Sequence, residues 1–163
     1  MKRRAQQSSQ TTAYDKAIAL LARREHSARE LKTKLEQRGL DKESSDAALV
    51  ELRAKDFQSD DRFGEMLVRS RLEGGYGARW ILAELRQHGI AEDNARAVIA
   101  AAEPDWPALA QRQLRRRYGS RKPANPVERN KRAAFLLRRG YDIATVTMVT
   151  RAEGFEDTAD ESE

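Results

Sequence analysis

Three glycines constrain this chain more than any other feature. Gly39, Gly89 and Gly140 lie 50 and then 51 residues apart. Each follows a stretch of apolar residues at helical spacing, where glycine takes the left-handed conformation that ends a helix. Leu35, Leu85 and Leu136 stand four residues before them, and Leu40, Ile90 and Tyr141 follow directly. Those are the partners of the apolar contact in a Schellman end. About ten residues further on comes an apolar pair, Leu49-Val50, Val98-Ile99 or Met148-Val149. The segments KLEQRGL, ELRQHGI and LLRRGYD therefore mark one unit used three times. A period near 50 residues suits three helices per unit, and repeats of that size stack into arrays.

The pattern between the glycines is helical throughout. Tyr14, Ala17, Ile18 and Leu21 fall at i, i+3, i+4 and i+7, as do Ala78, Ile81, Leu82 and Leu85. Only Thr145 to Thr150 (TVTMVT) looks strand-like, and its counterparts DAALVEL and ARAVIAA are helical by composition. Position in the repeat outweighs a weak β propensity, so this segment is read as helix. Ser27 with Glu30, and Asn125-Pro126 with Glu128, form capping boxes. Asp41, Asp60, Asp105 and Asp142 are further N-cap candidates. The expected fold is all-α: three tandem three-helix units in an elongated, curved array. The expected division is a disordered basic N-terminus (1–12), units at 13–57, 58–103 and 104–152, and a disordered acidic tail (153–163) carrying six acidic residues. Gly39, Gly89 and Gly140 are expected at positive φ. Leu31, Leu35, Trp80, Ile81, Leu85, Val98, Ile99 and Leu136 are expected to be buried.

Composition removes several kinds of chemistry. The chain has no cysteine, which excludes disulfides, thiolate metal sites and thiol nucleophiles. Its two histidines, His26 and His88, leave little for a zinc centre or a catalytic triad. No apolar run reaches the roughly 20 residues of a membrane span, and the N-terminus lacks the apolar core of a signal peptide. The expectation is a cytoplasmic, non-membrane protein without cofactor or metal. Apolar residues make up only 39% against 35% charged, which suits thin, solvated helical units.

The motifs that invite an enzymatic reading have simpler explanations. Gly74, Gly75 and Gly77 follow no strand and precede no Lys-Ser/Thr, so they indicate a tight turn rather than a phosphate loop. Asp60 and Asp61, with Glu65, would serve a Mg²⁺-dependent nuclease, but a pair of carboxylates opening a helix is explained by capping and the helix dipole. His88 sits in the last turn of a helix, where a cation is favourable. Nothing identifies an enzyme.

The arginines carry the functional signal. Between Arg112 and Arg139 stand eleven basic residues and a single acidic one, Glu128. They are Arg112, Arg115, Arg116, Arg117, Arg121, Lys122, Arg129, Lys131, Arg132, Arg138 and Arg139. The middle unit adds Arg69, Arg71 and Arg79. A solvated helix face normally mixes signs, and this one hardly does. Arginine offers bidentate contacts to phosphate and carboxylate, so the run reads as a surface for an acidic partner.

The string DDRFGEMLVRSRLEGGYGARWILAELRQHGI (Asp60 to Ile90) resembles the central motif of the RecX family. RREHSARELKTKLEQRGL (Arg23 to Leu40) and KRAAFLLRRGYD (Lys131 to Asp142) resemble its first- and third-unit signatures. The resemblance spans roughly 13–152. It implies a modular all-helical regulator that binds the RecA recombinase filament on single-stranded DNA. Such a regulator inhibits the ATPase, strand-exchange and coprotease activities of RecA, in the setting of homologous recombination, DNA repair and the SOS response. It implies no catalytic residues and no short fixed interaction motif. The expected partner is the RecA filament, with single-stranded DNA contacted directly or through RecA, and the expected state is a monomer. The alternative is a helix-turn-helix transcription regulator reading DNA around Gly74–Gly77.

Overall fold

The computed structural model describes residues 2–154, with side chains from Thr12 onward. Among these residues lie nine helices and no strand: α1 (Lys2–Leu21), α2 (Ala28–Gln37), α3 (Lys42–Ala54), α4 (Asp60–Glu73), α5 (Ala78–Gln87), α6 (Glu92–Ala101), α7 (Trp106–Tyr118), α8 (Pro126–Arg138) and α9 (Ile143–Ala152). TVTMVT lies inside α9, as its place in the repeat requires. The N-terminal expectation is corrected: α1 continues back to Lys2. No proline or glycine interrupts residues 2–21, so nothing in the backbone stops the helix before Lys2. The expected acidic tail lies, from residue 155 on, outside the described residues.

The repeat is visible in the backbone hydrogen bonds. Gly39, Gly89 and Gly140 have φ of 82°, 84° and 89°. The residue after each donates its N–H to a leucine carbonyl five residues back, Leu40 to Leu35, Ile90 to Leu85 and Tyr141 to Leu136, all at 3.2 Å. The glycines donate to Glu36, Arg86 and Leu137 at 2.9–3.0 Å, which completes three identical Schellman ends. The third helix of each repeat also ends on a left-handed residue: Asp56, Glu103 and Gly154. The first two of these carry no glycine and are invisible to a search for helix-ending glycines.

Burial follows the same register. Leu35, Leu85 and Leu136, four residues before the glycines, are fully buried. Six residues after them, Ser45, Ala95 and Val146 are buried as well. Eight residues before them stand Leu31, Ile81 and Arg132, and all three are inside. Of the expected core, Leu31, Leu35, Ile81, Leu85, Ile99 and Leu136 are buried and Val98 partly so. Trp80 is not: 46% of it is exposed. It lies nine residues before its glycine, where the other repeats carry Glu30 and Lys131. That is a surface position, and the helical periodicity alone concealed it.

The chain groups into two compact bodies, one made of residues up to 67 with 84–98, the other of 68–83 with 99 onward. The middle repeat contributes to both. In the first body α3 packs on α1 and α2 around Ala17, Leu31, Leu35, Leu49 and Leu52. In the second, α9 packs on α7 and α8 around Leu114, Phe135, Leu136, Tyr141, Val146 and Val149.

Five helix starts use the expected capping residue, and a sixth uses its neighbour. Ser27, Asp41, Asp105, Asn125 and Asp142 accept the N–H three residues on, at 2.8–3.0 Å. Asp60 is not a cap: Ser59 Oγ accepts Arg62 N–H, and Asp60 is the first helical residue. The reciprocal halves of the two boxes also differ from expectation. Glu30 pairs with Arg24. Glu128 reaches past Asn125 to the Ala124 N–H at 2.8 Å. At the seventh start, α5, the capping group is backbone. Gly77 N–H donates to the Arg139 carbonyl at 2.8 Å and Arg79 N–H to the Gly140 carbonyl at 3.0 Å.

Candidate functional site

All fourteen basic residues singled out by sequence fall in the second body, since each lies within 68–83 or beyond 99. α7 starts at its Asp105 cap and presents Arg112, Arg115, Arg116 and Arg117 on exposed positions. Gln113 and Leu114 between them turn inward. α7 ends at Gly119, with φ of 72°, and the following connection carries exposed Arg121 and Lys122. Arg115 lies at the junction of two shallow depressions. With Arg121, Lys122, Ser120 and Glu153 it lines one of about 330 Å³; with Arg112, Leu72, Asp105 and Leu109 it lines another of about 430 Å³. Lys131 and Arg138 are exposed on α8, Arg129 is half-buried, and Arg69 and Arg79 are exposed on α4 and α5, with Arg71 half-buried.

Two of the nominated arginines belong to the fold rather than to a surface. Arg132 is 1% exposed. Its guanidinium reaches Glu153 at 2.7 Å, Glu128 at 3.3 Å and the Arg121 carbonyl at 2.9 Å, and lies 4.9 Å from the Tyr118 ring centre. A charge can occupy a core position only with such compensation. Glu128 is held below the ordinary carboxylate range by the Ala124 N–H and, against some desolvation, by Arg132 and Arg121. Arg132 therefore ties α8 to the end of α9 and to the basic connection, and it is withdrawn from the binding surface.

Arg139 is half-buried and likewise engaged. It donates to the carbonyls of Gly74 at 2.8 Å and Gly75 at 3.1 Å, and its guanidinium lies 4.8 Å from the Tyr76 ring centre. Tyr141 adds its hydroxyl, which donates to the Gly75 carbonyl at 3.1 Å. Burial raises the Tyr141 phenol to about 12, so it stays a donor. The Gly74–Gly77 turn is thus a built joint. A Cβ on Gly77 would lie 2.3 Å from the Gly140 and Tyr141 backbone, which only glycine avoids. This explains the glycine-rich motif without a phosphate or a recognition helix.

Asp60 and His88, considered above for metal chemistry, are engaged within the fold. Asp60 Oδ1 accepts from the Ala28 N–H at 2.8 Å and from Gln58 at 2.9 Å, while Oδ2 faces Arg53 at 3.3 Å. Among the described residues no group of three His, Asp or Glu side chains is placed to hold a metal ion. His88 Nδ1 meets Ser27 Oγ at 3.1 Å, and the His88 ring lies against Phe63. No described helix is long and apolar enough to cross a membrane.

Three three-helix repeats, the last of them carrying a run of exposed basic residues, define an all-helical repeat protein. Family models for the first, second and third three-helix domains of RecX match residues 13–52, 59–99 and 103–149, and the chain belongs to the RecX family. A regulatory protein RecX of Xanthomonas campestris pv. campestris (strain B100) is 39% identical over 149 residues, 91% of this chain and 92% of that one. One of Stenotrophomonas maltophilia (strain R551-3) is 40% identical over 140 residues, 86% of each chain. The crystal structure of RecX from Lactobacillus salivarius matches 90% of this chain and 97% of its own, with a TM-score of 0.72 at 19% identity. Another RecX crystal structure matches 90% of this chain and 75% of its own with a TM-score of 0.77 at 22% identity. At those identities the structures speak for the fold alone.

Proposed function

We propose that this protein is a non-enzymatic, cytoplasmic regulator of the RecA recombinase that acts on the filament RecA forms on single-stranded DNA. Membership of the RecX family supports RecA as the target in this reading, and the relatives bear the name of regulatory proteins. The observation that carries the proposal is the exposed arginine set on α7 and the connection after it: Arg112, Arg115, Arg116, Arg117, Arg121 and Lys122. Such a filament offers phosphates and protein carboxylates as acidic targets. Guanidinium groups match both with paired N–H donors. Several weak ionic contacts on one scaffold raise the effective affinity beyond that of any single contact. A protein held this way obstructs strand exchange and subunit turnover without chemistry. Lys131, Arg138, Arg129, Arg69, Arg71 and Arg79 extend the same surface in this reading, and Arg132 and Arg139 support it from within.

The test is inhibition of RecA's DNA-dependent ATPase and strand exchange by the purified protein. Inhibition is expected at fewer than one copy per RecA subunit and should weaken as salt rises. Charge reversal at Arg115, Arg116, Arg117 and Lys122 should weaken inhibition with helical content unchanged. Equal inhibition by this variant, with the same salt dependence, would remove the α7 surface from the proposal. Absence of any effect of the native protein on RecA would remove RecA itself.

A further inference from the structure

The Trp80 side chain occupies a register position that the other repeats fill with Glu30 and Lys131, so the fold does not require an aromatic there. It is nonetheless fixed. Its ring stacks on Tyr76 with centres 5.1 Å apart and planes inclined by 28°. The Arg139 guanidinium lies 4.8 Å from the Tyr76 ring centre and is held by the two carbonyls of Gly74 and Gly75. The Trp80 backbone and Cβ are pressed against Gly140, within 2.6 Å of where a Cβ there would lie. An arginine guanidinium and an indole thus both lie against the Tyr76 phenol ring in a preassembled cluster, and Trp80 as a residue stays 46% exposed. Arg79, exposed beside it in the sequence, supplies a cation.

We propose that Trp80, backed by Tyr76 and flanked by Arg79, is a stacking platform for an unpaired nucleobase of single-stranded DNA. A rigid ring with solvent on it loses little entropy when a second flat π-system covers it. Base–aromatic stacking is tolerant of sequence, and a neighbouring cation suits the phosphate that accompanies each base. A duplex hides its base faces, so the platform discriminates single strands from double strands. A Trp that served as a protein hot spot would more often meet a pocket than present a supported flat face. This inference rests on the reading that the second body meets a filament carrying single-stranded DNA, and it names the group that touches the bases.

The test uses the full chain and a fluorescently labelled 20-nucleotide oligo(dT), with an abasic oligonucleotide of the same length as control. Trp80→Ala and Trp80→Leu should each weaken binding to oligo(dT) by about tenfold, within the range for loss of one stacked base. Trp80→Phe should retain binding to within about threefold, because it keeps a π-face. The slope of affinity against salt should be the same in all four proteins, since stacking releases no counterions. The abasic strand should bind native protein and Trp80→Leu alike. Trp80→Leu keeps bulk over Gly140, so a loss in Trp80→Ala alone would mark a packing role and overturn the platform. Native affinity in Trp80→Leu, or an equal loss on the abasic strand, would overturn it too. If Trp80 variants bind normally while the α7 charge reversal abolishes binding, the platform falls and the regulatory reading stands. If native protein binds no oligonucleotide, the platform falls and the regulatory reading is decided by the ATPase assay.

Discussion

The first and third repeats share one register and fill it differently. Eight residues before the helix-ending glycine the first repeat buries Leu31, and the third buries Arg132. Four residues before these stand Ser27 and Glu128. The arginine is accompanied by an acid one helical turn away, and a second acid, Glu153, reaches it from the end of α9. The first repeat uses a dry contact where the third uses a charged clamp. Leucine only fills the core. Arginine also grips the Arg121 carbonyl, and so holds the connection that displays Arg121 and Lys122. The third repeat spends part of its core on shaping its surface.

Exchanging the two solutions should produce the largest effects. Leu31→Arg places a charge in a core where the acid one turn back is replaced by Ser27. The cost should be on the order of 5 kcal/mol, read as loss of the cooperative urea transition. Arg132→Ala leaves a void and removes the partner of Glu128 and Glu153. Those carboxylates retain some exposure, 26% and 20%, and can rehydrate, so the loss should be smaller, about 3 kcal/mol. Arg132→Leu, the first repeat's own residue, should lose less than half of that. If Arg132→Leu destabilises as much as Arg132→Ala, the ion cluster rather than the filled volume supports the third repeat.

The sequence made the repeat legible because glycine is the residue most favoured at a left-handed helix end, and three such glycines in register leave few alternatives. The caps were legible for the same local reason. Arg132 and Trp80 were misread because each was judged by type: arginine as surface, tryptophan as core. Their register positions held the opposite answer, with Leu31 and Ile81 aligned to the first, Glu30 and Lys131 to the second. The pairing of Arg132 with Glu128 at one turn's spacing was a further signal. The clasp of Arg139 and Tyr141 on the glycine turn joins residues more than sixty positions apart, and no local pattern encodes it.

A smaller effect comes from the middle repeat. Asp41 and Asp142, two residues after their glycines, cap α3 and α9, and the Thr145 N–H leads the contacts that hold Asp142 below its ordinary range. The equivalent residue before α6 is Ala91, whose carbonyl accepts the first helical bond but whose side chain offers no acceptor. Ala91→Asp should stabilise the protein by about 1 kcal/mol, measured as a higher urea midpoint. An unchanged midpoint would mean that α6 already frays too little for a cap to help.

The smallest effect concerns pH and separates the first repeat from the third. His26 precedes the Ser27 cap and is buried, with Nδ1 donating to the Arg24 carbonyl at 2.9 Å. The corresponding residue of the third repeat is Val127, exposed and unable to titrate. Burial lowers the His26 pKa from its ordinary 6.5, and the raising influences of the Arg24 carbonyl and Glu30 do not offset it. The folded protein therefore prefers neutral His26, and the unfolded chain binds more protons as the medium acidifies. The sign follows: this contribution to stability is complete above pH 6.5 and is lost as pH falls through the lower folded value. The urea midpoint should drop between pH 7 and pH 5.5, before the carboxylates titrate. His26→Gln keeps a donor for the Arg24 carbonyl and carries no proton equilibrium, so most of that drop should disappear. A midpoint that falls equally in both proteins would place the acid sensitivity elsewhere than at His26.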